Sequence, residues 1–303
     1  MNKGLLLATA SSLVILGCGG GDSSDNATSN ESTTDTLAQA VNGKLIDGYI
    51  SGATVFLDIN FNSQLDDGEP FVVTSEDGDF TFADDALTSE ACWKWVPIVA
   101  LVPADAIDSD NPEQPIGTPY KMTFPPSGLV DNNSDVFVTP LTTEIWNGAL
   151  GKLHDIDFAL SCDELSNDES MRDELDRLIV DETEELASEL SVNTLTLFTD
   201  YVATANSELH TEAKEIVSVL KAAYEAESSV SESDPDALYI HVSFFEDDGD
   251  QIRYTKVTMK DGYVFDYDVM SEDLTAVVKK TSMLKIKLFI TAMKQLGLNT
   301  IEL

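Results

Sequence analysis

The chain has 303 residues, of which 55 are acidic and 17 are basic, so its formal net charge is −38 at pH 7. This charge repels phosphate backbones and therefore excludes DNA and RNA as expected partners. Hydrophobic residues make up 43% of the chain, which is enough for one large or two modest domains with packed cores. We predict two domains.

The N-terminus has the pattern of an export signal. A short positive start at Met1–Lys3 precedes an apolar stretch, Leu5–Leu16, that is too short to span a bilayer. We therefore predict a signal peptide over residues 1–17. Its Ile15–Cys18 ending resembles a bacterial lipobox, and this resemblance implies cleavage before Cys18 and lipidation of that cysteine. An ordinary secretory signal with an incidental cysteine is the alternative.

The residues after the predicted cleavage point indicate a membrane anchor and a tether. Gly19, the second residue after the predicted cleavage, is not the aspartate that at this position tends to retain lipoproteins in the inner membrane. The resemblance therefore implies an outer-membrane lipoprotein, on either its periplasmic or its cell-surface face. Residues 19–36 are almost all small or polar, so we predict a disordered tether over residues 18–41 that extends on the order of 25 Å from the lipid.

Twelve residues, Asp58–Glu69, have the spacing of a calcium-binding loop. Oxygen-bearing side chains fall at its positions 1, 3, 5, 7, 9 and 12, as in loops that surround Ca²⁺ with oxygen ligands. Ser63 stands at position six, where Gly usually makes a sharp turn, so we expect a non-Gly residue at positive φ and a weakened site. An Asp- and Asn-rich turn without metal is the alternative. The predicted ligands are Asp58, Asn60, Asn62, Gln64 through its backbone carbonyl, Asp66 and Glu69.

Short β-strand patterns flank this loop. Gly52–Leu57 precedes it, and the segments Phe71–Thr74 and Asp79–Phe82 bracket a turn after it. These residues resemble the B-type repeat domains of serine-aspartate adhesins and the wider prealbumin-like, collagen-adhesin B-type family. The resemblance implies a calcium-rigidified antiparallel sandwich that serves as a surface stalk or spacer, without catalysis. We therefore expect an all-β, prealbumin-like sandwich over residues 42–148.

Further strands and a possible second ion site complete this domain. We predict strands over Trp93–Val102, Tyr120–Phe124 and Val136–Val138, because each is rich in apolar or β-branched residues. Asp108, Asp110 and Asn111 offer a second set of oxygen ligands. Carboxylates on a surface loop are usually just solvated, so this second site is not expected.

The cysteine count fits an exported protein. If Cys18 carries lipid, Cys92 and Cys162 remain as an even pair. Outside the cytoplasm such a pair is more often bridged than free, so we predict a Cys92–Cys162 disulfide. Two reduced, buried cysteines are the alternative.

The region 149–303 is predicted to be an α+β domain of amphipathic helices and a three-stranded antiparallel meander. Apolar residues recur at helical spacing over Leu175–Leu190 and Ile216–Tyr224. A last amphipathic helix is expected from Ser271 to Gly297, and its lysines contrast with the acidic remainder. The three predicted strands are Tyr239–Phe245, Ile252–Met259 and Tyr263–Val269.

The sequence offers no pattern of catalytic residues. His154, His210 and His241 lack the spacing of metal ligands. We therefore expect a non-enzymatic, cell-surface structural or interaction lipoprotein that binds calcium and a surface protein or polysaccharide partner. The alternative is a polysaccharide-binding module that uses Trp93, Trp95 and Trp146, and an enzyme with an unrecognised site is a third hypothesis.

Overall fold

The computed structural model describes residues 40–83, 87, 92–126, 135–155, 160–247, 249–259 and 262–287. Residues from Ala38 onward form one compact unit. Its described part combines several mostly antiparallel β-sheets with four α-helices, which is a mixed α+β fold. The predicted signal peptide, Cys18 and nearly all of the tether lie outside the described residues, as does the end of the predicted last helix.

Residues 41–138 contain the first nine described strands. They are β1 (Val41–Leu45), β2 (Ile50–Ser51), β3 (Thr54–Leu57), β4 (Phe71–Val73), β5 (Asp79–Phe82), β6 (Ile98–Val102), β7 (Ile107–Asp108), β8 (Tyr120–Phe124) and β9 (Val136–Val138). One antiparallel sheet has the order β4-β3-β6-β8, and a second sheet has the order β5-β1-β9 with β1 parallel to β9. Strands β2 and β7 form a separate pair.

Strand β6 is shorter than its sequence pattern predicts. The apolar run from Trp93 was expected to be strand throughout, but Trp93–Trp95 forms a 3₁₀ helix and the strand begins at Ile98. Pro97 separates the two, and its missing N–H explains why the ladder starts only after it. The predicted strands at β5, β8 and β9 are confirmed.

Four described helices follow from position 140 onward. Helix α3 buries Leu175, Leu178 and Ile179, which confirms the first predicted stripe, and the Asp168 side chain caps its start by accepting from the Met171 N–H. No described helix has the length and apolar content needed to cross a membrane. The bounds are α1 (Pro140–Asp155), α2 (Cys162–Asn167), α3 (Glu169–Glu189) and α4 (Ser207–Ser233).

The main apolar core extends from the first strand to the start of the last sheet, which also has a second, smaller cluster of its own. One cluster of buried side chains extends from Val41 to Tyr239. The division expected between residues 148 and 149 falls within α1, whose Leu141, Ile145 and Trp146 belong to this cluster. Helices α1 and α4 both pack against strand β8. The helices therefore bury the sheet to which the candidate loop is attached.

The C-terminal sheet is an antiparallel meander of four described strands, β10 (Tyr239–Asp247), β11 (Asp250–Met259), β12 (Gly262–Met270) and β13 (Val277–Lys287). The first three confirm the predicted meander. On the face toward α4, Ile240, Val242 and Val257 pack against alanines and a valine of that helix.

The fourth strand corrects the expectation of a helix after Ser271. Residues 277–287 pair with β12, with Lys280 opposite Asp268 and Lys279 opposite Val269. The open edge of β12 and the β-branched pair Val277 and Val278 favour a strand here, so tertiary pairing overrides the helical period. The lysines of this segment therefore lie on an edge strand.

The two remaining cysteines are adjacent in the fold. Cys92 and Cys162 are positioned as a bonded pair, with their Cα atoms 5.4 Å apart, a separation that a disulfide spans without distortion. This pair connects the segment before β6 to the start of α2.

We predict that this bond forms in the exported protein. Closing a loop of 70 residues should stabilise the fold by about 4 kcal/mol in the chain-entropy model. Intact-mass analysis should show two hydrogens fewer than the reduced chain, and a reductant should lower the free energy of unfolding. The double variant Cys92→Ser/Cys162→Ser is the control, and the reductant should not change its free energy of unfolding. Two alkylatable thiols in unreduced protein would contradict the prediction.

Candidate metal-binding loop

The loop Asp58–Glu69 joins two neighbouring strands of one sheet, β3 and β4. Its base is closed by backbone hydrogen bonds from Leu57 N–H to the Pro70 carbonyl (3.1 Å) and from Asp58 N–H to the Pro97 carbonyl (3.1 Å). Both ends are therefore fixed by the sheet, and the intervening residues form a compact turn.

Asp58, the first predicted ligand, is buried with 1% of its surface exposed. Its two carboxylate oxygens accept backbone N–H groups from Asn62 (3.0 Å) and Ser63 (2.9 Å), so the chain folds around this side chain. Burial raises the pKa of Asp58 to about 7, and the nearby charge of Glu69 adds to the rise, while these hydrogen bonds oppose it.

Glu69, the last predicted ligand, is also buried, and it closes the loop from the opposite end. One of its oxygens accepts the Ile59 N–H (2.8 Å) and the other accepts the Asp66 N–H (3.0 Å). Burial raises its pKa, and these hydrogen bonds oppose the rise. Two carboxylates with raised pKa values are thus held by backbone N–H groups of one loop.

The middle of the loop joins the remaining predicted side chains. The amide nitrogens of Asn60 and Asn62 both donate to one oxygen of Asp66, at 2.8 and 2.7 Å. The Asn62 side-chain oxygen accepts the Gln64 N–H at 2.8 Å. The structure therefore brings together the side chains of Asn60, Asn62 and Asp66, while Gln64 takes part through its backbone.

Ser63 adopts the backbone conformation expected at position six, with φ of 57°. This confirms that a non-Gly residue occupies a left-handed turn in the loop. Phe61, at φ 61°, is also left-handed, and its ring packs 6.4 Å from the ring of Trp146 in α1. The turn is thus anchored in the apolar core.

The loop does not hold a preassembled cluster of metal-binding side chains. In the ranges that the structure describes, no three His, Cys, Asp or Glu side chains gather in a way that holds a metal ion. The loop combines its three predicted carboxylate ligands with amide and backbone oxygens, which are also ligands for hard cations. Calcium binding therefore stays a prediction.

A second acidic cluster, unrelated to the loop, surrounds Asp47. This side chain is 5% exposed and accepts a hydrogen bond from the Tyr120 hydroxyl at 3.2 Å. The Asp108 carboxylate lies against Gly48, where a Cβ would overlap it. Burial, followed by the charge of Asp108, raises the pKa of Asp47 to about 7.

Helix α4 brings positive charge to this cluster. The Asp110 carboxylate lies 2.8 Å from His210 Nε2 and 2.7 Å from Lys214 Nζ, and Lys221 lies over the Tyr120 ring. Of the two carboxylates that the sequence offers as a second cation site, Asp110 is therefore paired with basic side chains of α4, and Asp108 accepts the Asp110 backbone N–H. Sequence reasoning missed this pairing, although the three basic residues recur at i, i+4 and i+11 of one helix.

The remaining candidate residues are dispersed. His241 is buried, and burial lowers its pKa to about 4, whereas His210 belongs to the cluster around Asp110. The side chain of His154 lies outside the described residues. Trp146 is 2% exposed, and the Arg172 guanidinium lies over the ring of Trp95. These residues are not brought together into one site.

Comparison with known proteins gives no relative for this chain: no family model, no curated protein and no solved structure matches it.

We predict that Asp47 makes stability fall as pH rises. Its pKa in the folded protein is about 7, above its ordinary value of 3.8, so the native state holds a proton that the unfolded chain releases. The resulting stabilisation is complete below about pH 4 and is lost as pH rises through about 7. Asp47→Asn should therefore remove a fall of about 2 kcal/mol between about pH 5 and about pH 8.

Urea unfolding at the two pH values measures this difference. The exposed Asp105→Asn variant is the control and should retain the pH dependence of the wild type. Parallel pH profiles for wild type and Asp47→Asn would contradict the assignment.

Proposed function

We propose that the protein is a cell-surface structural or interaction lipoprotein whose β-rich part is stiffened by calcium. The observation that supports this function best is the loop Asp58–Glu69, which is closed around two buried carboxylates. The loop's oxygen ligands suit a hard cation, and its place between two paired strands lets an ion rigidify the sheet.

The electrostatics of the loop favour a divalent cation. Asp58 and Glu69 are both buried, and the charge of Glu69 raises the cost of ionising Asp58. A calcium ion would neutralise both carboxylates. It would also be coordinated by oxygens of Asn60, Asn62 and Asp66, with the Gln64 carbonyl completing the set.

The fold adds partial support for the proposed architecture. The sheets β5-β1-β9 and β4-β3-β6-β8 are mostly antiparallel, which supports a β-rich N-terminal part. We propose that they correspond to the two layers of a prealbumin-like sandwich, which α1 and α4 extend on the β8 side. In this arrangement the calcium loop connects neighbouring strands at one end of a layer.

Attachment to the outer membrane rests on the sequence around Cys18. The lipobox-like Ile15–Cys18 and the polar tether over residues 18–41 support a lipid-anchored protein held away from the membrane surface. A surface protein or polysaccharide is the expected partner.

The polysaccharide-binding alternative receives less support from the tryptophans. Trp146 is buried in the core beside Phe61. Trp93 and Trp95 are half-buried, and cationic side chains lie over both rings. These three residues therefore do not offer the open aromatic face on which a sugar ring stacks.

We predict that the mature protein binds one Ca²⁺ at this loop with a Kd of roughly 10⁻⁴ to 10⁻³ M, the range of extracellular modules. Asp58→Asn should abolish binding, because it removes the buried charge while keeping the side chain's size. The affinity should weaken as pH falls below about 7, since protons compete for Asp58. Isothermal titration calorimetry measures both effects. Asp67→Asn, at an exposed position without a ligand role, is the matched control.

Equal binding heats for wild type and Asp58→Asn would refute the calcium assignment. Loss of binding in Asp67→Asn as well would indicate a general charge effect and not a specific site.

We also predict that Cys18 anchors the protein. Cys18→Ser should prevent lipidation and move the protein from the membrane fraction to the soluble fraction, or leave the precursor unprocessed. Fractionation of cells and the intact mass of the exported protein measure this. An unchanged distribution and an unchanged mass would argue for an ordinary signal peptide.

A further inference from the structure

Ser63 is the one residue of the loop that departs from the usual calcium-loop pattern. Its φ of 57° is a conformation that Gly adopts freely and that other residues adopt at a cost of roughly 1 kcal/mol. Its backbone N–H donates to Asp58 at 2.9 Å. The backbone conformation of Ser63 therefore positions its N–H to hold the carboxylate of Asp58, the first predicted calcium ligand.

A residue far along the chain contacts Ser63. Tyr239, the first residue of β10, is 9% exposed and belongs to the main apolar core. The Ser63 and Tyr239 hydroxyls share a hydrogen bond, and both residues line the same small cavity. Burial holds the pKa of Tyr239 well above its ordinary value, and the charge of Asp58 contributes to this rise. Tyr239 is therefore close to both the turn and its ligand.

The position of Tyr239 is set by the C-terminal half of the fold. Its backbone pairs in register with Thr258 of β11, and its ring stacks on His241 at 6.5 Å. Beside it, Lys121 of β8 forms a 2.5 Å ion pair with Glu227 of α4. A small cavity lined by Ser63, Tyr239 and these two charged residues separates the loop from α4. The loop thus lies against a surface built by β8, α4 and β10.

From these contacts we propose that Tyr239 is a positioning residue of the calcium loop. It holds Ser63 in the left-handed turn, and Ser63 in turn holds the Asp58 carboxylate. This inference rests on the calcium site proposed above and extends it. The hydroxyl of Ser63, which Gly would lack, then makes calcium affinity depend on the packing of β10.

The test compares calcium affinities in four variants of the full-length mature protein. Tyr239→Phe keeps the ring and removes its hydroxyl, so it should raise the Kd about fivefold, the loss of one hydrogen bond. Ser63→Ala removes the other hydroxyl and should do the same. Because Gly adopts a positive φ without steric cost, the Ser63→Gly variant should bind calcium at least as tightly as the wild type. In the Ser63→Gly background, Tyr239→Phe should change the Kd by less than about twofold.

Calorimetry with Ca²⁺ alone gives Kd and stoichiometry, and the stoichiometry should stay the same throughout. Tyr267→Phe, on an exposed tyrosine of β12, is the control and should bind like the wild type. A purely structural role for Tyr239 would weaken binding equally in the Ser63 and Ser63→Gly backgrounds, and that result overturns the proposal.

Two other outcomes separate this inference from the proposed function. If the wild type binds calcium, Asp58→Asn abolishes binding and Tyr239→Phe has no effect, the site stands and the positioning role of Tyr239 is refuted. If the wild type binds no calcium, both are refuted.

Discussion

The packing of α1 and α4 on strand β8 is the constraint on which the rest of this structure depends. The helices extend the apolar core beyond the strands of the sheet. They also bring Trp146 of α1 into contact with Phe61 of the loop. The buried hydroxyls of Thr142 and Thr143 bond to the Thr123 carbonyl of β8, so the polar groups at this contact are satisfied. Without this packing, the loop would have a sheet at its base but no surface against which to close.

Charge explains how such an acidic chain tolerates buried contacts. The 17 basic residues are few, and several are placed where acidic side chains are shielded from solvent, as in Lys121–Glu227 and Arg253–Asp268. The cluster around Asp47 also has basic partners on α4. Within the loop, the hydrogen-bond partners of Asp58 and Glu69 are backbone N–H groups, which compensate a carboxylate only in part. This contrast favours an external cation at the loop and not at Asp47.

Features set by local sequence were predictable. The strands β5, β8 and β9, the stripe of α3 and the left-handed turn at Ser63 depend on residue type and spacing, and all were predicted. Features set by distant partners were not. Strand β13 forms because β12 offers an open edge, and the Asp110–Lys214 pair forms because α4 lies beside the β7 loop. The local sequence pattern around β13 or Asp110 does not show which distant element lies beside it, so neither contact could be predicted.

The role of Ser63 depends both on its place in the loop and on a distant contact. Judged by its loop alone, it is an unfavourable residue that weakens a calcium site. In the folded chain its hydroxyl meets Tyr239, about 175 residues away, so part of its cost is offset by a contact that only the complete fold provides. A Gly at the same position would make the loop self-sufficient, whereas Ser makes its geometry depend on β10. The residue that departs from the calcium-loop pattern is therefore the one through which the loop contacts the C-terminal sheet.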